Sequence, residues 1–299
     1  METVHIPVLL SETLSQLNLR PHSVYVDGTF GGGGHASAVW EALKGKVTII
    51  GFDRNKEALS RAKTRLTKLG AKPILFNESF RNMERVLTEE NLTPVDAILL
   101  DIGISSDQLD ASGRGFSFLR DEPLEMTMEY PITDETLTAK VLLNSASEEA
   151  LANMIYAYGE ERYARRIAKV IVERRQVHPL MTTFDLVSCV DAAVPSAYKL
   201  GRIHPATRTF QAIRIAVNDE LRALEEGING GWNSLASGGR LAVITFHSLE
   251  DRIVKQTFKT LASDGSGKII TKKPVGPNES EAKTNPRARS AKLRVIEKS

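Results

Sequence analysis

The chain has 299 residues, 41% of them apolar and 25% charged, with a formal net charge of +2, a composition ordinary for a globular protein with room for two domains. Its single cysteine, Cys189, excludes an internal disulfide and fits a reducing cytoplasm. No apolar run is long enough to cross a bilayer, and Met1–Pro7 has no signal-peptide pattern.

In chain order, Pro7–Leu19 carries Val8, Leu9, Leu14 and Leu17 at helical spacing. The run Val24–Asp27 then reads as a strand that breaks into a loop containing Gly28 and Gly31–Gly34, before the alanine-rich helical stretch Ala36–Leu43. Strand, glycine turn and helix bring a helix N-terminus and bare backbone up to a polar or anionic ligand group. Val47–Asp53 is a second strand, and Lys56–Leu69 a helix ended by Gly70. Pro73–Phe76 is a third strand, Met83–Asn91 a helix, and Val95–Asp101 a fourth strand.

Strands alternating with helices predict a parallel sheet covered on both faces, with ligands beyond the carboxyl ends of its strands. Asp27, Asp53 and Asp101 all fall at that edge. The next buried strand, Gly239–Phe246, follows Asp101 only after a long interval, far more than a crossover needs, which predicts an inserted helical domain. Within it, Ser147 and Thr182 are expected helix starts, and Thr207–Leu224 reads as one helix. A helix is expected from Ser248, followed by strands Lys268–Thr271 and Leu293–Ile296. Lys and Arg cluster in Glu160–Arg175, Gly201–Arg222 and the tail from Lys283, where local patches suit a phosphate backbone.

Gly31, Gly33 and Ala36, with Asp53 twenty residues past Gly33, also satisfy the dinucleotide fingerprint, so an NAD-binding oxidoreductase is an alternative. Asp27 weighs against it. An acid at the start of the loop repels a pyrophosphate, whereas an ammonium and a sulfonium, as in S-adenosyl-L-methionine, gain from three carboxylates. A non-catalytic RNA-binding or assembly factor with this fold is the remaining alternative. No metal-ligand spacing surrounds His35, and no metal is expected.

Several longer motifs go further. They are Asp27-Gly-Thr-Phe-Gly-Gly-Gly-Gly-His35, Leu100-Asp-Ile-Gly-Ile-Ser-Ser-Asp-Gln-Leu109, Arg114-Gly-Phe-Ser-Phe118 and Tyr158-Gly-Glu-Glu-Arg-Tyr-Ala-Arg165. After them come His204-Pro-Ala-Thr-Arg-Thr-Phe-Gln-Ala-Ile-Arg214, Phe246-His-Ser-Leu-Glu-Asp-Arg252 and Asn285-Pro-Arg-Ala-Arg-Ser290. With these in order, nearly the whole chain resembles the bacterial RsmH (MraW) family, which methylates N4 of a cytidine in 16S ribosomal RNA. The resemblance implies a class I S-adenosyl-L-methionine-dependent methyltransferase: an α/β, Rossmann-like, mostly parallel seven-stranded sheet with an inserted all-helical domain. The expected boundaries are 1–105 plus 213–299 for the core and 106–212 for the insertion, which would recognise substrate.

The resemblance places the cofactor on Gly33, Gly34, His35, Asp53, Phe80, Asp101 and Gln108. Asp101 is also the candidate catalytic acceptor. Arg114, Arg208, Arg214, Arg287 and Arg289 are candidate contacts to RNA, either free or in the small ribosomal subunit. Phe116, Phe118 and Phe246 are candidate walls for a flipped base. Arg162, Arg166 and Lys169 share a helix stripe that could hold phosphates, and His247 is either a site residue or a helix cap. One departure stands out: the family's Pro-Leu-Asp-Met-Arg-Met-Asp is here Pro123-Leu-Glu-Met-Thr-Met-Glu129, with Thr127 in place of arginine.

Overall fold

A computed structural model of the chain describes residues 7–103, 112–129 and 131–299, and the backbone alone at 287. The chain forms two compact units, residues 1–103 with 221–299 and residues 104–220.

The first unit is built on seven strands: β1 (Ser23–Asp27), β2 (Val47–Phe52), β3 (Ile74–Phe76), β4 (Val95–Asp101), β5 (Leu235–Thr245), β6 (Gly267–Ile269) and β7 (Lys292–Lys298). Their order is β3-β2-β1-β4-β5-β7-β6, with β1 to β5 parallel and β7 antiparallel to both neighbours. The apolar runs of the central strands follow from burial on both faces. Tyr25, Ile49, Leu99 and Ala242 point into one layer, with the helices Leu10–Leu17, Gly34–Ala42 and Lys56–Lys68. Val26, Ile50, Ile98 and Val243 point into the other, with Met83, Leu87, Leu224, Trp232 and Phe258. Each fully covered Leu or Ile contributes about 1.5–3 kcal/mol of burial.

Strand order reverses between β1 and β4, which is where such sheets open a ligand crevice. Asp27 lies level with Gly51 and Leu99, and Asp101 level with Ile244, so the acids sit along one carboxyl edge. Local chemistry sets the helix ends. Asn55 Oδ1 accepts from the amides of Glu57 and Ala58 to start Lys56–Lys68, and Gly70 at φ +84° follows its end.

The second unit is helical: Ala139–Ser145, Glu148–Gly159, Ala164–Val177, Thr183–Ala193, Ser196–Lys199 and Thr207–Asn218. Their apolar faces meet in one core that includes Leu143, Leu151, Ile155, Ile167, Leu186 and Ile213. Ser147 caps Glu148–Gly159, and Thr182 with Asp185 forms a capping box on Thr183–Ala193.

Two expectations change. The predicted helix Thr207–Leu224 is two helices, Thr207–Asn218 and Glu220–Ser234, broken at Asp219 with φ +50°. The whole of Thr207–Asn218 belongs to the helical unit, because it packs along Glu148–Gly159, with Gly159 leaving room for the Arg208 carbonyl. The break between units therefore falls after Glu220 rather than at 212/213, and the expected boundary at 105/106 lies outside the described residues. Among the described residues no helix is long and apolar enough to cross a membrane.

Candidate functional site

The glycine loop is stitched to both neighbouring strands. Gly28 N–H donates to the Leu99 carbonyl and Phe30 N–H to the Phe52 carbonyl, each at 2.9 Å. A Cβ on Gly28 would run into Leu100, Met83 and Phe80, and Gly33 holds φ +70° as the cap of Gly34–Ala42. Glycine is needed at both, for close approach and for backbone sign respectively. The helix then presents its first amides, which have no intrahelical acceptor.

Asp53, at the end of β2, fixes the loop from the side. One carboxylate oxygen accepts from Gly31 N–H at 2.7 Å and the other from Asn55 N–H at 2.7 Å. A carboxylate has about four acceptor positions, so two remain for a ligand's hydroxyls.

Asp27 is 2% exposed. It accepts from Thr29 N–H at 3.1 Å and from the Tyr25 hydroxyl at 3.3 Å. Burial nevertheless pushes its carboxyl up to about 7, against the lowering effect of those bonds, with nearby Asp53 adding to the rise. Asp101 is pushed up to about 8 by burial, then by Asp27 and Glu250. Its Oδ1 is buried and no described group donates to it. The chain thus gathers carboxyl groups that resist ionisation at the carboxyl ends of β1 and β4 and leaves one acceptor open. A ligand bearing positive charge fits this edge, and a pyrophosphate does not.

Thr29 and Tyr25 were not singled out by sequence, although Thr29 joins two of the acids: its Oγ1 accepts from Asp101 N–H at 2.7 Å while its amide donates to Asp27. Asp27-Gly-Thr is legible as a motif, but the cross-strand bond requires the β1–β4 pairing. His35 is placed between two partners. Its Nε2 is 3.0 Å from the Val8 carbonyl, which only accepts, so that nitrogen is assigned the proton. Its Nδ1 then faces Asp101 Oδ2 at 3.9 Å.

Phe80 begins the turn Phe80–Asn82 and packs its ring against Gly227, where any Cβ would enter the ring. Gln108 lies outside the described residues. His247 is a cap: its Nδ1 faces the Glu250 amide at 3.4 Å, while Glu250 Oε2 accepts from the amides of Phe246 and His247. Phe246 and His247 also line a groove of about 450 Å³ with Pro274, Arg289 and Lys292. Phe116, by contrast, is in the core of the helical unit, and Phe118 stacks on His204 at 4.6 Å.

The arginines expected to meet RNA are variously engaged. Arg214 makes a two-point pair with Glu220, both bonds at 2.8 Å. Arg114 donates to the carbonyls of Thr127 and Glu129, and Arg208 to that of Glu160. Thr127 is 2% exposed, so the position where the family carries arginine is here a covered threonine whose carbonyl anchors Arg114. Arg289 Nε donates to the Ala282 carbonyl at the exposed surface, and the Arg287 side chain is outside the described part. Lys292 and Arg294 of the tail both reach Asp251.

Residues 2–299 match the model of the MraW methylase family. A protein of Geotalea daltonii named ribosomal RNA small subunit methyltransferase H is 47% identical, covering 98% of both chains. A protein of the same name from Heliobacterium modesticaldum is 48% identical over 98% of each, and one from Clostridioides difficile is 44% identical over the full length of both. The chain belongs to the MraW methylase family and is a methyltransferase that uses S-adenosyl-L-methionine.

Proposed function

We propose that the chain methylates the exocyclic N4 amine of a cytidine in 16S ribosomal RNA, acting in the cytoplasm, with the helical unit recognising the RNA. The observation that carries the reading is the pair of acids at neighbouring strand ends, buried Asp27 and half-buried Asp101 with its open Oδ1, beyond a parallel sheet's switch point. Glycine loop and acids together suit a ligand with one anionic and one cationic end. The first amides of Gly34–Ala42, at Gly34 and His35 after the Gly33 cap, hold the methionyl carboxylate. Asp53 takes the ribose hydroxyls, and Phe80 offers an apolar surface for adenine. S-adenosyl-L-methionine, when bound, supplies an electrophilic methyl on a positive sulfur.

The N4 lone pair is delocalised into the ring, so the amine needs an acceptor as its charge develops. Asp101 is that group. In its deprotonated form, which a cationic cofactor favours, it takes the N4 proton on its open Oδ1. Thr29 Oγ1, accepting from the Asp101 amide, fixes its backbone. Phe246 and His247, on the groove at the end of β5, are better placed than Phe116 or Phe118 to wall a base.

The test is transfer of labelled methyl from S-adenosyl-L-methionine to small-subunit rRNA, as free RNA and as assembled subunits, with product nucleosides resolved. N4-methylcytidine is the expected product. Label on another atom, on DNA alone, or none with either RNA form overturns the reading.

A further inference from the structure

Outside the acid edge, the helical unit carries a second built surface. Arg162 lies over two tyrosine rings at once, 4.9 Å from the centroid of Tyr163 and 5.0 Å from that of Tyr198. Arg166 adds a third contact, 5.7 Å above Tyr163, and the two rings meet edge to face at 5.0 Å. Glu161, fully buried, fastens the assembly from below: one oxygen accepts from the Tyr198 hydroxyl at 2.5 Å and the other from Tyr163 N–H at 2.8 Å.

Among the described residues neither Arg162 nor Arg166 has a carboxylate within ion-pair distance, unlike Arg214. Both are exposed. Directly after Tyr198 the chain runs through Lys199–Ile203, wholly exposed, with Leu200 89% and Ile203 50% exposed and Arg202 between them. Guanidinium groups held flat on aromatic rings, without neutralising acids, beside projecting apolar side chains, match what unstacked RNA offers: phosphates for the cations and base faces for the apolar groups. An acidic peptide would satisfy the cations but would leave Leu200 without a matching base step.

We infer that this surface grips single-stranded or distorted rRNA, with Arg162 and Arg166 on phosphates and Leu200 wedged against a base. Glu161 is a positioning residue: it holds the tyrosines that hold Arg162. The inference rests on the rRNA reading above.

Small-subunit rRNA transcribed in vitro, titrated against the full chain at several salt concentrations, tests it. For R162A/R166A the affinity is expected to fall about tenfold, with a salt slope shallower by one to two ions. L200S is expected to lose on the order of threefold with the slope unchanged, as for a stacking contact. R162K separates a planar stacked fork from a point charge, since it should recover the slope but not the full affinity. Y198F, which removes the bond to Glu161 and keeps the ring, is expected to weaken binding less than Y198A. S-adenosyl-L-methionine affinity and the urea midpoint serve as controls for folding. Wild-type affinity and slope in R162A/R166A overturn this surface while leaving the methylation reading intact. Failure of the unsubstituted chain to methylate rRNA overturns the reading instead. Loss of affinity for an acidic peptide but not for RNA assigns the surface to a protein partner and also refutes the inference.

Discussion

The two units treat charge in opposite ways. The sheet unit gathers carboxyl groups: burial and Asp53 raise Asp27, burial, Asp27 and Glu250 raise Asp101, and the buried Asp101 Oδ1 lacks a donor among described groups. The helical unit does the reverse with Arg162 and Arg166, keeping them exposed and supported by rings rather than by acids. A buried unpaired charge costs stability and is retained where a ligand of opposite sign relieves it. An exposed cation costs almost nothing, so its orientation is the informative feature. The acid edge is strained toward one small cationic ligand, and the arginine face is permissive toward a long anionic one.

Five changes break or sharpen that contrast. Replacing Asp101 with Asn should have the largest effect, lowering kcat by about 10²–10⁴-fold, as expected when a general base is removed. Single-turnover methyl transfer on rRNA checks it, and near-normal turnover would remove Asp101 from the chemistry. Next is Arg214→Ala, which strands a Glu220 that is only 9% exposed; a loss of about 3 kcal/mol in urea unfolding is expected, with little change in the salt slope of RNA binding. A changed slope with unchanged stability would return Arg214 to the RNA-contacting set.

Gly28→Ala follows, at about 1–3 kcal/mol, because the new methyl meets Leu100, Met83 and Phe80 inside a packed layer. The pH dependence should be smaller. Asp27 and Asp101 have folded values raised to about 7 and about 8, so the folded apo chain binds protons that the unfolded chain has already released. The stability this contributes is fully present below pH 4 and is lost as pH rises through 7 to 8. The cationic ligand prefers the deprotonated edge, so its Kd should fall by about tenfold between pH 6 and 7.5, measured by calorimetry in two buffers to count released protons. A flat profile would mean that the acids are already ionised in the apo chain. Smallest is Arg85→Ala: the exposed pairs to Glu89 and Glu78 should be worth less than about 0.5 kcal/mol.

Much of the sheet unit was legible in sequence because its signals are local. Val95–Asp101 is a strand at the predicted bounds, and Lys56–Lys68 ends one residue short of the expected helix, since burial on both faces and a capping Asn write themselves into consecutive residues. The break at Asp219 was not legible. Apolar spacing runs through it from Phe210 to Leu224, and a single left-handed residue turns the chain without interrupting that pattern.

Sequence by itself determined the parallel α/β core, the glycine loop, the three acids at strand ends and the family to which the motifs belong. Tertiary structure decided which charges are spent and which are available. Arg214 and Arg162 are alike as letters in basic stretches, yet one closes on Glu220 and the other rests on Tyr163 and Tyr198. Thr29 reaches Asp101 only because β1 pairs with β4. Strand and helix patterns repeat over a few residues and can be read along the chain. A charge's partner is chosen across tens of residues, and only the folded packing brings the two together.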